Sequence, residues 1–96
     1  MDLQLTDKLA LVSGSTAGIG FAIANGLARE GARVIVNGRT DKRVSAATER
    51  IRSRNADAKL EGIAADLSSR AGVEEVVRRF PDVDILVNNP MLMCIL

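Results

Sequence analysis

Four short apolar runs punctuate the chain: KLALVSG over 8–14, ARVIVNG over 32–38, AKLEGIAA over 58–65 and DILVNN over 84–89. The first, second and fourth are nearly continuous, the pattern of strands covered on both faces of a parallel sheet. The third mixes polar and apolar residues and reads as a lateral strand. Between the runs, apolar positions recur at helical spacing. Ile19, Ile23 and Leu27 mark the inner face of a first helix, Ala22 and Ala24 add helix propensity, and Gly31 follows as its C′ residue. Thr40 or Asp41 caps a second helix with Val44, Ala47 and Ile51 inward. Ser68 or Ser69 starts a third with Val73, Val76, Val77 and Phe80 inward, and Pro81 ends it.

The resulting order is β-α-β-α-β-α-β with short connections. Right-handed crossovers turn it into an α/β, doubly wound parallel sheet, with strand order 3-2-1-4 expected. The first two helices then cover one face and the third crosses to the other. Residues 1–96 are expected to form one truncated domain, with 90–96 as an atypical apolar tail. In this arrangement the fourth strand is an unpaired apolar edge, which invites self-association. The tail PMLMCIL either folds back over an uncovered face or comes from a shifted reading frame.

Composition narrows the function. The chain has 96 residues, 47% apolar and 26% charged, with 13 basic against 12 acidic side chains and a formal charge of +1. That balance, with Phe21 and Phe80 as the only aromatics, offers neither the basic face nor the stacking platform of a nucleic-acid binder. Cys94 stands alone, which excludes an internal disulfide and a cysteine metal cluster; the absence of histidine excludes the usual zinc sites and a histidine-based triad. No metal site is expected. No apolar stretch reaches the roughly 18 residues of a membrane span, and MDLQLTDK lacks the pattern of a signal peptide. A cytoplasmic setting without membrane contact is the expectation.

The chemistry lies at the strand ends. LVSGSTAGIG follows the first strand and opens the first helix, with glycines at Gly14, Gly18 and Gly20. A tight turn, close backbone approach and a helix N-terminus together suit a pyrophosphate. Ser15 and Thr16 either donate hydroxyls to phosphate or ribose oxygens or satisfy the loop's own backbone.

The spacing Gly-x-x-x-Gly-x-Gly in GSTAGIG resembles the short-chain dehydrogenase/reductase family. Three later segments carry the same resemblance in order over residues 5–89: VNGR at 36–39, ADL at 65–67 and NNP at 88–90. It implies a partial Rossmann fold, an oxidoreductase function on CH–OH and C=O groups, and a dinucleotide as ligand. The cofactor residues it implies are Gly14, Ser15, Thr16, Gly18, Ile19, Gly20, Asn37, Arg39, Thr40, Asp66, Leu67, Asn88 and Asn89. NAD-preferring members carry an acid at the tip of the second strand, where this chain has Gly38 followed by Arg39. A guanidinium there suits a 2′-phosphate, so NADP is favoured over NAD. Lys42 and Arg43 add field or are simply helix-surface charge. Asp66 either meets the adenine or caps the third helix, and Asn88 and Asn89 either support the first turn or line the cofactor.

The family's catalytic Ser, Tyr and Lys belong to later strands and helices. This chain has no tyrosine, and Ser13, Ser15 and Ser45 all lie in the nucleotide-binding half. No catalytic residue is expected, and the chain alone is expected to be inactive. The competing reading is a non-catalytic dinucleotide-binding or protein-interaction module.

Overall fold

A computed structural model of the protein describes residues 5–88 and 92–95, the side chains of 88 and 92–95 excepted. The elements run β1 (Leu9–Val12), α1 (Gly18–Arg29), β2 (Arg33–Gly38), α2 (Asp41–Arg54), β3 (Lys59–Ala64), α3 (Arg70–Arg79), β4 (Ile85–Asn88) and β5 (Leu92–Ile95). They form one sheet of order β3-β2-β1-β4-β5. The first four strands are parallel, with Leu11 paired to Ile35 on one side and to Leu86 on the other.

Strand alternation sorts the core into two layers, because successive side chains point to opposite faces. Val12, Val34, Val36 and Val87 face α1 and α2, where they meet Phe21, Ala24, Ala28, Val44, Ala47 and Ile51. Leu9, Leu11, Ile35 and Ile63 face α3, where they meet Val76. The expected strand order and the assignment of helices to faces are thus observed.

Three details differ from the sequence reading. Ile19 is 70% exposed. The buried stripe of α1 runs through Gly20, Phe21, Ala24 and Ala28, with Ile23 and Leu27 half-buried beside it. Small residues on the contact line let the helix lie close to the sheet, so the contact line is set by them and not by the larger isoleucines. Val73 and Val77 are also exposed, at 44% and 60%. Only Val76 of α3 is buried, and the two valines line an apolar cavity of about 300 Å³ against Leu11, Leu67 and Leu86.

The third difference concerns the edge. β4 is not unpaired: β5 runs antiparallel to it, Ile85 opposite Ile95 and Asn88 opposite Leu92. An apolar segment that follows a strand end satisfies its backbone groups by adding a ladder to the nearest open edge. The apolar tail therefore contains a strand, and the outer edge of the sheet on this side belongs to β5. Cys94 stands in it opposite Leu86. Pro90 and the remainder of the expected tail at 91 and 96 lie outside the described residues. No described helix is long and apolar enough to cross a membrane.

Candidate functional site

At the carboxyl ends of β1, β2 and β3 the connecting segments enclose a cavity of about 520 Å³, within the usual size of a small-molecule site. Of the residues singled out from sequence, Gly14, Thr16, Asn37, Arg39, Asp66 and Leu67 line it. Ser13, Gly38, Arg43, Ala65 and Ser68 line it as well; Gly38 and Arg43 were named beside Arg39, but none of the five was among the cofactor residues that the resemblance implies. Ser15, Gly18, Ile19, Gly20 and Thr40 lie off its wall. Asn89 and the side chain of Asn88 lie outside the described residues.

The turn after β1 needs glycine at two points. Gly14 and Gly18 have φ of 59° and 61°, the left-handed region that disfavours a side chain. Ala17 precedes α1 without a side-chain cap, and the first turn carries no acid. The other two helices are capped: Thr40 Oγ1 accepts from the Arg43 amide and Ser69 Oγ from the Gly72 amide. The start of α1 therefore keeps the positive field of its first amides undiluted by a carboxylate.

Ser15 takes the second of its two expected roles. It is fully buried, its Oγ accepting from the Asn37 amide at 2.8 Å, and its own amide donates to the Asn37 carbonyl at 2.8 Å. Asn37 is more deeply structural than the sequence indicated. Its Oδ1 accepts from the Gly14 amide at 3.1 Å, while Nδ2 donates to the carbonyls of Ile63 and Ala65 at 3.2 and 3.1 Å. One carboxamide ties the ends of β1, β2 and β3 together. Beside it, a Cβ on Gly38 would come within 2.5 Å of Thr16 Cγ2 and 3.2 Å of Val44 Cγ2, so an acid at this tip would also crowd the loop.

Asp66 does not cap α3, a role taken by Ser69. Its Oδ1 accepts from the Ser68 amide at 2.9 Å and from Ser68 Oγ at 2.5 Å, closing an Asx turn on the cavity wall. The Ser68 hydroxyl, the Ser68 amide and the charge of Arg39 hold its carboxyl below the usual carboxylate range. A depressed folded-state pKa means the turn contributes fully above the ordinary carboxylate value and is lost as pH falls through the lowered one. Ser68→Ala is expected to move the Asp66 titration midpoint upward, read from its side-chain carboxyl resonance.

Comparison with known proteins agrees with this geometry. The family model described as short chain dehydrogenase matches residues 8–93. The uncharacterized oxidoreductase YvaG of Bacillus subtilis (strain 168) is 48% identical over 89 residues, which are 93% of this chain and 34% of that protein. D-beta-hydroxybutyrate dehydrogenase of Cupriavidus necator is 43% identical over 90 residues, 90% of this chain and 34% of that protein. The crystal structure of L-sorbose reductase from Gluconobacter frateurii, complexed with NADPH and L-sorbose, superposes with a TM-score of 0.80 at 34% identity. That match covers 96% of this chain and 36% of that one. The chain thus spans about a third of the length of the relatives it matches. It belongs to the short chain dehydrogenase family and corresponds to the NAD(P)-binding part of those oxidoreductases.

Proposed function

We propose that residues 1–96 form the adenosine- and pyrophosphate-binding unit of an NADP-dependent, cytoplasmic oxidoreductase. One observation carries this reading: a single cavity joins the glycine turn of β1, Arg39 after β2 and Asp66 after β3. The residues suit the group in charge and shape. The pyrophosphate would lie at the uncapped start of α1, near Gly18, Ile19 and Gly20; the ribose 2′-phosphate would lie at Arg39, and the adenine between Asp66 and Leu67. Thr16 lines the same wall and Thr40 holds the first turn of α2; the cofactor contact expected of Asn88 and Asn89 belongs to the same proposal. When bound, the dinucleotide supplies or accepts hydride at its nicotinamide. These 96 residues contain no tyrosine, so we assign them binding and not proton transfer.

Arg39 supports NADP over NAD because a guanidinium forms charge-assisted bonds to a phosphate, and the Gly38 tip carries no acid to oppose it. Titration calorimetry is expected to show NADPH binding about tenfold or more tighter than NADH, a difference that Arg39→Ala removes; such a bond contributes about 1.5–3 kcal/mol. A preference for NADPH that survives the substitution would overturn the role of Arg39. Self-association through the outer edge of β5 belongs to the same reading, since a strand edge is a template for a second chain. Sedimentation equilibrium tests it.

A further inference from the structure

At the far ends of α1 and α2 lies another polar cavity, of about 540 Å³, lined by Asn25, Arg29, Arg54 and Asn55. It stands about 16 Å from the nucleotide cavity, the length of α1 from Gly18 to Arg29 at about 1.5 Å per residue. Two cations and no carboxylate line it. Arg29 and Arg54 each sit in the last turn of a helix, where the macrodipole favours a cation. The dipole accounts for each arginine separately and not for their convergence on one groove, where like charges repel. Among the described residues the ion pairs are Lys59–Asp7, Arg70–Glu74 and Arg78–Glu75, so neither arginine of the groove is neutralised. Arg50, stacked at 4.3 Å over the Phe21 ring one turn before Arg54, adds to the same positive field. The two asparagines differ. Asn55 is committed to the fold: its Nδ2 donates to the Ala28 carbonyl at 3.4 Å and its Oδ1 accepts from the Asp57 amide at 3.2 Å. Asn25 Oδ1 is buried with no hydrogen-bond partner, and its Nδ2 donates to no group among the described residues. A buried carbonyl without a partner weakens the fold, and asparagine is a poor helix former, so stability gives no reason for asparagine at this place. With the carbonyl inward, the NH2 is left for the groove beside two guanidiniums. The free polar groups of this wall are then all donors, the complement of an oxyanion.

We propose that this groove is a phosphate-binding site separate from the nucleotide cavity, in which Arg29 and Arg54 pair with the phosphate oxygens and Asn25 Nδ2 donates a third bond. A phosphate monoester or free phosphate, with about −1.5 to −2 charge at neutral pH, balances the two guanidiniums. Asn55 holds the end of α2 against the end of α1, so the two arginines meet the anion from two fixed elements. The inference does not rest on the dinucleotide reading above.

The test titrates inorganic phosphate and glycerol 3-phosphate, each against sodium chloride at matched ionic strength, into the wild-type chain and into Arg29→Ala, Arg54→Ala, Arg39→Ala and Asn25→Ala. The reporters are the side-chain amide resonance of Asn25 and the backbone amides of Arg29 and Asn55, which separate this groove from the nucleotide cavity. Arg29→Ala and Arg54→Ala are each expected to weaken phosphate about tenfold, as loss of one charge-assisted contact would do. Arg39→Ala, at the distant cavity, is expected to change binding at these reporters by less than about twofold. Asn25→Ala is expected to weaken phosphate severalfold while raising the thermal midpoint of the phosphate-free chain, because it removes the unpaired carbonyl and improves helix propensity. If chloride produces the same shifts, or if neither groove variant weakens phosphate more than Arg39→Ala does, the site is overturned. If Asn25→Ala lowers the midpoint and leaves phosphate binding unchanged, the asparagine serves the fold and the three-donor site is overturned. With the site upheld, tighter binding of glycerol 3-phosphate than of phosphate identifies an esterified occupant, and equal or weaker binding identifies the free anion.

Discussion

Asn37→Asp is expected to cost about 3–5 kcal/mol of stability at neutral pH, the penalty for a buried charge set against unpaired acceptors. The side chain is 3% exposed, and its Nδ2 donates to two carbonyls, those of Ile63 and Ala65. An aspartate of the same shape keeps the acceptor for the Gly14 amide but turns its second oxygen toward those carbonyls. Two donors vanish and a repulsion replaces them. A domain of this size holds only about 5–14 kcal/mol in total, so the change removes a large share of it. The sign with pH is fixed by the same geometry. Once protonated, the introduced carboxyl can still donate to one carbonyl, so the folded state raises its pKa. The penalty is then fully present above the raised folded value and shrinks as pH falls toward the ordinary aspartate value of about 3.9. Urea denaturation across that range checks both statements. A deficit below about 1 kcal/mol at neutral pH, smaller than the expected loss of a buried hydrogen bond, would show that the carboxamide is not the tie between the three strand ends.

How much of this was legible in the chain follows from which interactions are local. Runs such as LALV and VIV announce strands covered on both faces, because alternation disappears when both faces are buried. The glycine turn was equally plain: Gly14 and Gly18 hold left-handed backbone, a constraint written in one residue each. Asn37 was legible only as a polar residue at a strand end. Its partners lie 23, 26 and 28 residues away, and nothing nearby in the chain distinguishes a long-range tie from a ligand contact. Lys42 and Arg43 could be named only as a pair, either adding field or helix-surface charge, since which of them reaches the cavity depends on where α2 starts relative to β3. Ile19 was misplaced because periodicity locates an apolar stripe without saying which of its residues overhang the sheet. The pairing of β5 escaped because an apolar run of four residues carries no signal of which edge it will join.

Gly72→Ala should destabilise the fold by about 3 kcal/mol, against a helix propensity that by itself favours alanine by about 1 kcal/mol. A Cβ built at Gly72 would overlap the Asp66 carbonyl oxygen and lie 2.7 Å from its carbon and 3.2 Å from the Asp66 amide nitrogen. All three are backbone atoms. The carbonyl also accepts from the Ser69 amide at 3.1 Å and from Ser69 Oγ at 2.9 Å, and Ser69 Oγ in turn accepts from Gly72 itself. Neither side can retreat without opening the cap of α3 or shifting the Asp66 turn that walls the cavity. Gly26 in the middle of α1 supplies the matched control, because a Cβ there meets nothing within 4 Å. Gly26→Ala should follow propensity alone and stabilise by about 0.5–1 kcal/mol. The two substitutions are chemically the same and are expected to differ in sign, which denaturation midpoints resolve directly. If both stabilise, the close approach of α3 to Asp66 is not a constraint on the fold. If they differ as expected, the glycine at 72 is there so that the helix can seat against the strand end that carries Asp66 into the site.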